Sequence, residues 1–219
     1  MTAARIAKDS RLQRKIEKKK KKHLGEAKSV FDFQQTYRTR AKNYANVHAF
    51  VIDNMASKNI PKFRKEKADA WSKDKLTIHL GGSYCYKEDT IEYLLYPELV
   101  SESSNTILTQ IDSLLRKLAE KKAKLHEIVF VFDNHSTQKN AYVLSYFEWQ
   151  AKRGFISKEG TNTTLQCLIV TDFFLLIFLV RGHTHNILDA ANQKVSQQYY
   201  SAESITSCNQ MVCPVYYRY

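Results

Sequence analysis

The sequence predicts an α/β domain with a basic arm at its N-terminus. Three observations carry that expectation. Apolar residues make up 43% of the 219 and aromatic residues 12%, enough to bury a core in one domain of ordinary size and too much for disorder throughout. Short apolar runs of strand type alternate with longer stretches of helical spacing, most clearly after residue 90. Charge is uneven: 34 Lys and Arg against 22 Asp and Glu give +12, and ten bases against two acids in residues 1–24 supply +8 of it. Glycine (6) and proline (3) are too scarce for a collagen-like or linker chain. The balance points to a polyanionic partner, nucleic acid or an acidic membrane surface.

The block RLQRKIEKKKKKH, with Lys18, Lys19, Lys20, Lys21 and Lys22, reads as a basic helix or an extended arm. Its plain role is a solvated tail; its functional role is a nucleic-acid arm or nuclear localisation signal, since successive lysines neutralise successive phosphates. Residues 29–48 have a rough helical face of Phe33, Tyr37, Tyr44 and Val47. AFVID (49–53) reads as a short strand ending in a carboxylate, and 55–75 as a polar connection around Pro61. LTIHL (76–80) is a strand, GGSYCYKED a turn region, and TIEYLLY (90–96) a strand stopped by Pro97. Ser101, Ser103 or Ser104 caps a helix running to about Lys124, with Ile107, Ile111, Leu114, Leu115 and Leu118 at helical spacing. EIVFVF (127–132) is a strand buried on both faces, with Asp133 at its end. Residues 138–154 form an amphipathic helix closed by Gly154. Leu165–Val180 is very apolar but interrupted by Asp172 and shorter than a membrane span; one strand or two is the better reading. Residues 184–200 form the last helix, and 201–219 show no clear pattern. The division is therefore a basic arm (1–28), a domain (29–200) and a C-terminal tail (201–219).

The opening residues MTAARIAKDSR hold no apolar signal core, so secretion is not expected and the four cysteines are expected to be reduced. No CxxC occurs, which argues against structural zinc.

Carboxylates stand at notable places in this order: Asp53 ends the first strand, Asp133 the fourth, and Asp189 lies on the last helix. Open α/β sheets bind ligands outside the carboxyl ends of their strands. If the first and fourth strands are neighbours, Asp53 and Asp133 meet there and Asp189 can close the group. Three carboxylates in one place need a compensating cation, and hard oxygen donors select Mg²⁺ or Mn²⁺. Two such ions about 4 Å apart can activate a nucleophile and stabilise the leaving oxygen of a phosphodiester. Each acid also has a plainer role open to it: Asp53 and Asp133 as turn residues, Asp189 as a solvated helix residue. In GHTH (182–185), Gly182 permits a sharp turn, and His185 lies one turn before Asp189.

Four segments carry a resemblance. VIDNMASKNIPKF (51–63), YLLYPELVSESSNTILTQIDSLL (93–115), VFDNHSTQKNAY (131–142) and FLVRGHTHNILDAANQKV (178–195) resemble blocks of the transposase-like domain of unknown function found in eukaryotic transposon-derived proteins. That family belongs to the DDE transposase/integrase superfamily. The resemblance covers about residues 30–200. It implies an RNase H-like fold, a five-stranded mixed sheet flanked by helices. It also implies Asp53, Asp133 and Asp189 as catalytic, metal-binding acids of a polynucleotidyl transferase using Mg²⁺ or Mn²⁺, two ions when active. His183 and His185 would support the third acid, and Gln138, Lys139 and Asn140 match the polar end of the second block. The second block departs from the family in His135, Ser136 and Thr137, where the family has Cys-Gly-Gly, and Asp32 is a rival first acid. A complete transposase would carry a separate DNA-binding domain; a fragment, or a decayed or domesticated copy, is therefore among the expectations. DNA is the expected partner and the nucleus the expected location. No membrane partner is expected, and the oligomeric state stays open, a homo-oligomer included.

Two other classes compete. A catalytically inactive nucleic-acid-binding protein would keep the fold and the charge without converging acids. A metallophosphoesterase shares Asn134-His135 and the GHTH string, but its early Asp-x-His and Gly-Asp-x-x-Asp are absent here.

Overall fold

The computed structural model describes residues 3–60, 62–63, 75–97, 100, 103–121, 126–133, 135–152, 164–165, 168–170, 174–180, 187–202 and 204–206. The expected Pro61 turn, Asp172 and the GHTH block with His183 and His185 lie outside them.

The basic arm and the first helix are one element. Helix α1 runs Ala3–Asn43 without a break at residue 28, because Ala, Lys, Arg, Gln and Glu are strong helix formers and no proline intervenes. Residues 12–22 are exposed. Towards its end the helix meets the domain, where Gln34, Tyr37 and Ala41 are buried. Gln34 Nε2 donates to Tyr86 Oη at 2.8 Å, and Arg40 pairs with Glu127 at 2.7 Å. Burial and the Glu127 charge push the Tyr37 phenol up to about 12.

Strand β1 (Val47–Ile60) begins where the sequence pattern still reads helix and continues seven residues past Asp53. Residues 47–52 are buried on both faces, as a central strand requires. β2 (Lys62–Phe63) follows. β3 (Leu76–Cys85) is likewise longer than LTIHL: the glycine pair expected to turn lies inside the strand. The turn comes at residues 86–89, with Asp89 at φ 55°, a left-handed conformation that aspartate tolerates. β4 (Thr90–Pro97) returns antiparallel to β3.

Helix α2 (Ser104–Glu120) starts from Ser103, whose backbone N–H donates to Thr106 Oγ1 at 2.9 Å. β5 (Glu127–Phe132) has the predicted bounds. α3 (Ala141–Lys152) starts three residues later than expected because 138–140 form its cap. The apolar segment after residue 164 is three strands: β6 (Thr164–Leu165), β7 (Leu168–Val170) and β8 (Phe174–Phe178). α4 (Ile187–Ser201) is the last helix. β9 (Ser204–Ile205) pairs with β2, so part of the patternless tail is ordered against the domain.

The main sheet has the order β4-β3-β1-β5-β8-β7-β6. Its first five strands are the expected mixed sheet; β7 and β6 are short antiparallel additions at one edge. β1, β5 and β8 are parallel neighbours, and β3 is antiparallel to both β1 and β4. Alternate residues of β1 and β5 face opposite layers. Val47, Ala49, Val51, Val129 and Val131 meet the end of α1 and, on α4, Leu188, Ala191, Val195 and Tyr199. Phe50, Ile52, Ile128, Phe130 and Phe132 meet α2 and α3. That second layer is rich in rings: Phe130 lies 5.2–6.4 Å, centroid to centroid, from Phe50, Phe132, Phe147 and Phe174.

Candidate active site

The parallel register decides where the first two acids stand. The last pair between β1 and β5 is Ile52 with Phe132. The next residue on each strand is an aspartate, Asp53 and Asp133. Adjacent strands lie about 4.8 Å apart, so the two backbones are neighbours at the carboxyl end of the sheet. Both acids share the parity of Val51 and Val131 and therefore face the layer of α1 and α4. Both are partly exposed. Asp53 does not end its strand: β5 stops while β1 runs on, paired with β3 alone.

The third acid arrives on a helix. Asp189 is in the first turn of α4, next to Leu188, which is fully buried. Leu188 rests on Gly82, and Gly82 is the β3 partner of Asp53. A Cβ at position 82 would stand 3.0 Å from the Asp53 carbonyl oxygen, 3.3 Å from the Tyr93 ring and 3.4 Å from Leu188 Cδ2. The glycine is thus where strand, neighbouring ring and helix close together. Tyr93, its β4 partner, donates from Oη to Asn192 Oδ1 at 2.9 Å. Burial, and then the Asp53 charge, hold the Tyr93 phenol well above its ordinary range. Among the described residues, no three His, Cys, Asp or Glu side chains gather closely enough to hold a metal ion. The donors at hand, carboxylates, are nonetheless the kind Mg²⁺ and Mn²⁺ prefer. Asp53 and Asp133 are the pair that would hold such an ion; Asp189 stands in the first turn of α4 and does not close a group of three with them.

The turn after Asp133 positions the polar trio. Backbone N–H groups of Gln138 and Lys139 both donate to the His135 carbonyl, at 3.0 and 2.9 Å. Gln138 is buried, and its Oε1 has no hydrogen-bond partner among the described residues. Lys139 places its ammonium 5.2 Å from the centroid of the Phe178 ring, at the end of β8. Asn140 is engaged inside the protein. Its Oδ1 accepts the Val143 N–H at 3.1 Å as the cap of α3, and its Nδ2 donates to Ser104 Oγ at 2.7 Å, joining the starts of α2 and α3. His135 Nδ1 is 2.8 Å from Thr137 Oγ1, within the same turn. Asp32, the rival first acid, is exposed on α1 rather than in the sheet.

Lys18–Lys22 stand on the exposed half of α1, where five consecutive positions at about 100° each surround the helix with charge. Lys22 lies 3.8 Å from Glu26, an exposed pair. Sequence reasoning missed Gly82, Tyr93 and Asn192. The one available signal was a glycine pair inside an otherwise strand-like run, which marks a close approach as readily as a turn.

This arrangement can be set against solved structures. The chain is similar to the Mos1 transposase in its paired-end complex with the left transposon end: TM-score 0.50, 11% identity, covering 89% of this chain and 53% of that one. The likeness is one of fold, an RNase H-like α/β domain. A pre-cleavage Mos1 transpososome also matches, at TM-score 0.45 and 12% identity, over 88% of this chain and 53% of that one. The chain spans about half the length of the transposase chains it matches. No protein-family model matches the sequence, and no curated protein matches it. Among the described residues, no helix is long and apolar enough to cross a membrane.

Proposed function

We propose that this chain is a transposase-derived polynucleotidyl transferase or nuclease domain. It acts on DNA phosphodiesters through Asp53, Asp133 and Asp189, and it works in the nucleus. One observation carries the reading: the β1–β5 register ends on Ile52 and Phe132, so two aspartates follow side by side at the carboxyl end of a transposase-type sheet. A divalent cation, Mg²⁺ or Mn²⁺, one or two ions, would supply an activated water or 3′-hydroxyl and stabilise the leaving oxygen.

The protein's own groups have separable parts. Asp53 and Asp133 hold the cation from the rigid sheet. Asp189 approaches from α4, and His183 and His185 precede it in the chain. Lys139 offers a charged group to the DNA backbone beside the acids, while buried Gln138 and the Asn140 cap hold the turn that presents it. The exposed lysines of α1 bind phosphates without reading sequence. The Mos1 transposase of the first match is a paired-end complex with the left transposon end; DNA, and a second copy of this chain, are proposed here by that likeness.

A binding-only reading is favoured by one observation, that the described acids do not form a closed group of three. A single experiment separates the two. The full chain is titrated with Mn²⁺ by calorimetry and assayed for nicking of supercoiled DNA in Mg²⁺ or Mn²⁺, beside Asp133→Asn. Saturable Mn²⁺ binding and nicking, both lost in the variant, support the enzyme. DNA binding with steep salt dependence, but neither Mn²⁺ binding nor nicking, overturns it in favour of the binding protein.

A further inference from the structure

We infer that Tyr93 is a positioning residue of the proposed site: through Asn192 it fixes where the first turn of α4, carrying Asp189, meets Asp53. This rests on the reading above and names a part of the site that neither the acid motif nor the fold likeness assigns.

The geometry is a short chain of contacts across three strands and a helix. Asp53, Gly82 and Tyr93 are register partners on β1, β3 and β4. Residues paired across antiparallel strands share a face, so Tyr93 and Asp53 flank Gly82 on the α4 side. A side chain at 82 would fill the space between them; its absence lets the Tyr93 ring lie over β3 and lets Leu188 settle beside it. The phenol then donates to Asn192 Oδ1 at 2.9 Å. Asn192 is three residues beyond Asp189, hence on a neighbouring part of the same helix surface. The hydrogen bond and the Leu188 contact thus hold α4 on both sides of Asp189.

A plain anchoring role for Tyr93 makes a different prediction. An anchor affects folding; a positioning residue also affects how well the acids bind a cation. In the full chain, Mn²⁺ affinity and thermal midpoint are measured for the native protein, Asp53→Asn, Tyr93→Phe, Asn192→Ala and the Tyr93→Phe/Asn192→Ala double variant. Tyr93→Phe keeps the ring and loses only the donor. The inference expects it to weaken Mn²⁺ binding by about tenfold, the low end of the range for residues that orient metal ligands. Its midpoint should fall by only a few degrees, roughly. Asn192→Ala should match it, and the double variant should lose no more than either alone. Mn²⁺ affinity that is native in both single variants while Asp53→Asn has lost it overturns the inference and leaves the proposed function standing. Mn²⁺ binding equally weak in the native protein and Asp53→Asn overturns both.

Discussion

The end of the sheet and the exposed half of α1 solve opposite problems. At the sheet end, position is everything: Asp53 and Asp133 follow side by side because two strands are in register, and Gly82 must be glycine because three elements close on it. On α1, position matters little. Residues 12–22 are exposed, and the lysines point in every direction around the helix. The first region is tuned by packing, the second by charge. Substitutions in one should therefore change folding and chemistry, and in the other only salt-dependent attraction.

The comparison breaks most easily at Phe130. It is fully buried on the central strand pair and meets four other phenylalanine rings. Phe130→Ala is expected to cost about 3–5 kcal/mol in chemical denaturation, the usual range for a large ring removed from a close-packed core. No single substitution among Lys18–Lys22 should cost more than about 0.5 kcal/mol. A comparable loss from any of those lysines would mean that α1 is packed against something along its exposed half.

The converse test concerns binding. Replacing Lys18–Lys22 together by Gln removes five charges. If each contacts a phosphate, the slope of log affinity against log salt on duplex DNA should shrink by about 4.5, from about 0.9 per phosphate. The denaturation midpoint should stay where it was. An unchanged slope would remove α1 from the DNA interface and leave the sheet end as the binding surface.

What was legible in the sequence follows the same division. Asp133 was plain, because EIVFVF is a short apolar run with an aspartate after it, and the strand bounds agree to the residue. Charge on α1 was plain, because charge needs no partner to be seen. The length of β1 was not: beyond Asp53 the residues alternate irregularly through a register shift between Met55 and Lys58. Lys58 is buried there against the Tyr199 and Tyr200 rings, so a buried position reads as a polar one. The glycine pair read as a turn because its reason lies in other elements: Gln110 of α2 approaches Gly81, and Tyr93 and Leu188 approach Gly82. Tyr93 and Asn192, 99 residues apart, could not be joined without the register. Two-residue strands such as β2 and β9 leave no period to read.

A pH titration sharpens the contrast from the sheet's other end. His48 is buried on β1, its Nε2 has no hydrogen-bond partner among the described residues, and its pKa is lowered to about 4, first by burial and then by the nearby Lys87 charge. Unfolded, the imidazole returns to about 6.5. Between these values the unfolded chain binds a proton that the folded chain does not. Stability therefore falls as pH drops from 6.5 through 4 and is not lost further by this group below that. At pH 5 the loss is on the order of 2 kcal/mol relative to pH 7.5. His48→Gln should remove that part of the slope in urea denaturation at a series of pH values; an unaltered slope would assign it elsewhere.

The smallest effect is expected at the exposed ion pair of Lys22 and Glu26, 3.8 Å apart. Pairs of this kind contribute about 0–0.5 kcal/mol, because water screens both charges and two long side chains lose freedom to meet. Glu26→Gln should leave the denaturation midpoint unchanged within error. It should nonetheless raise DNA affinity slightly at low salt, since a negative charge leaves the neighbourhood of the lysine run, and the gain should vanish as salt screens the field. A gain that persists at high salt would mean that Glu26 touches the partner directly. A fall in stability would mean that this stretch of α1 is held by packing, as the sheet end is.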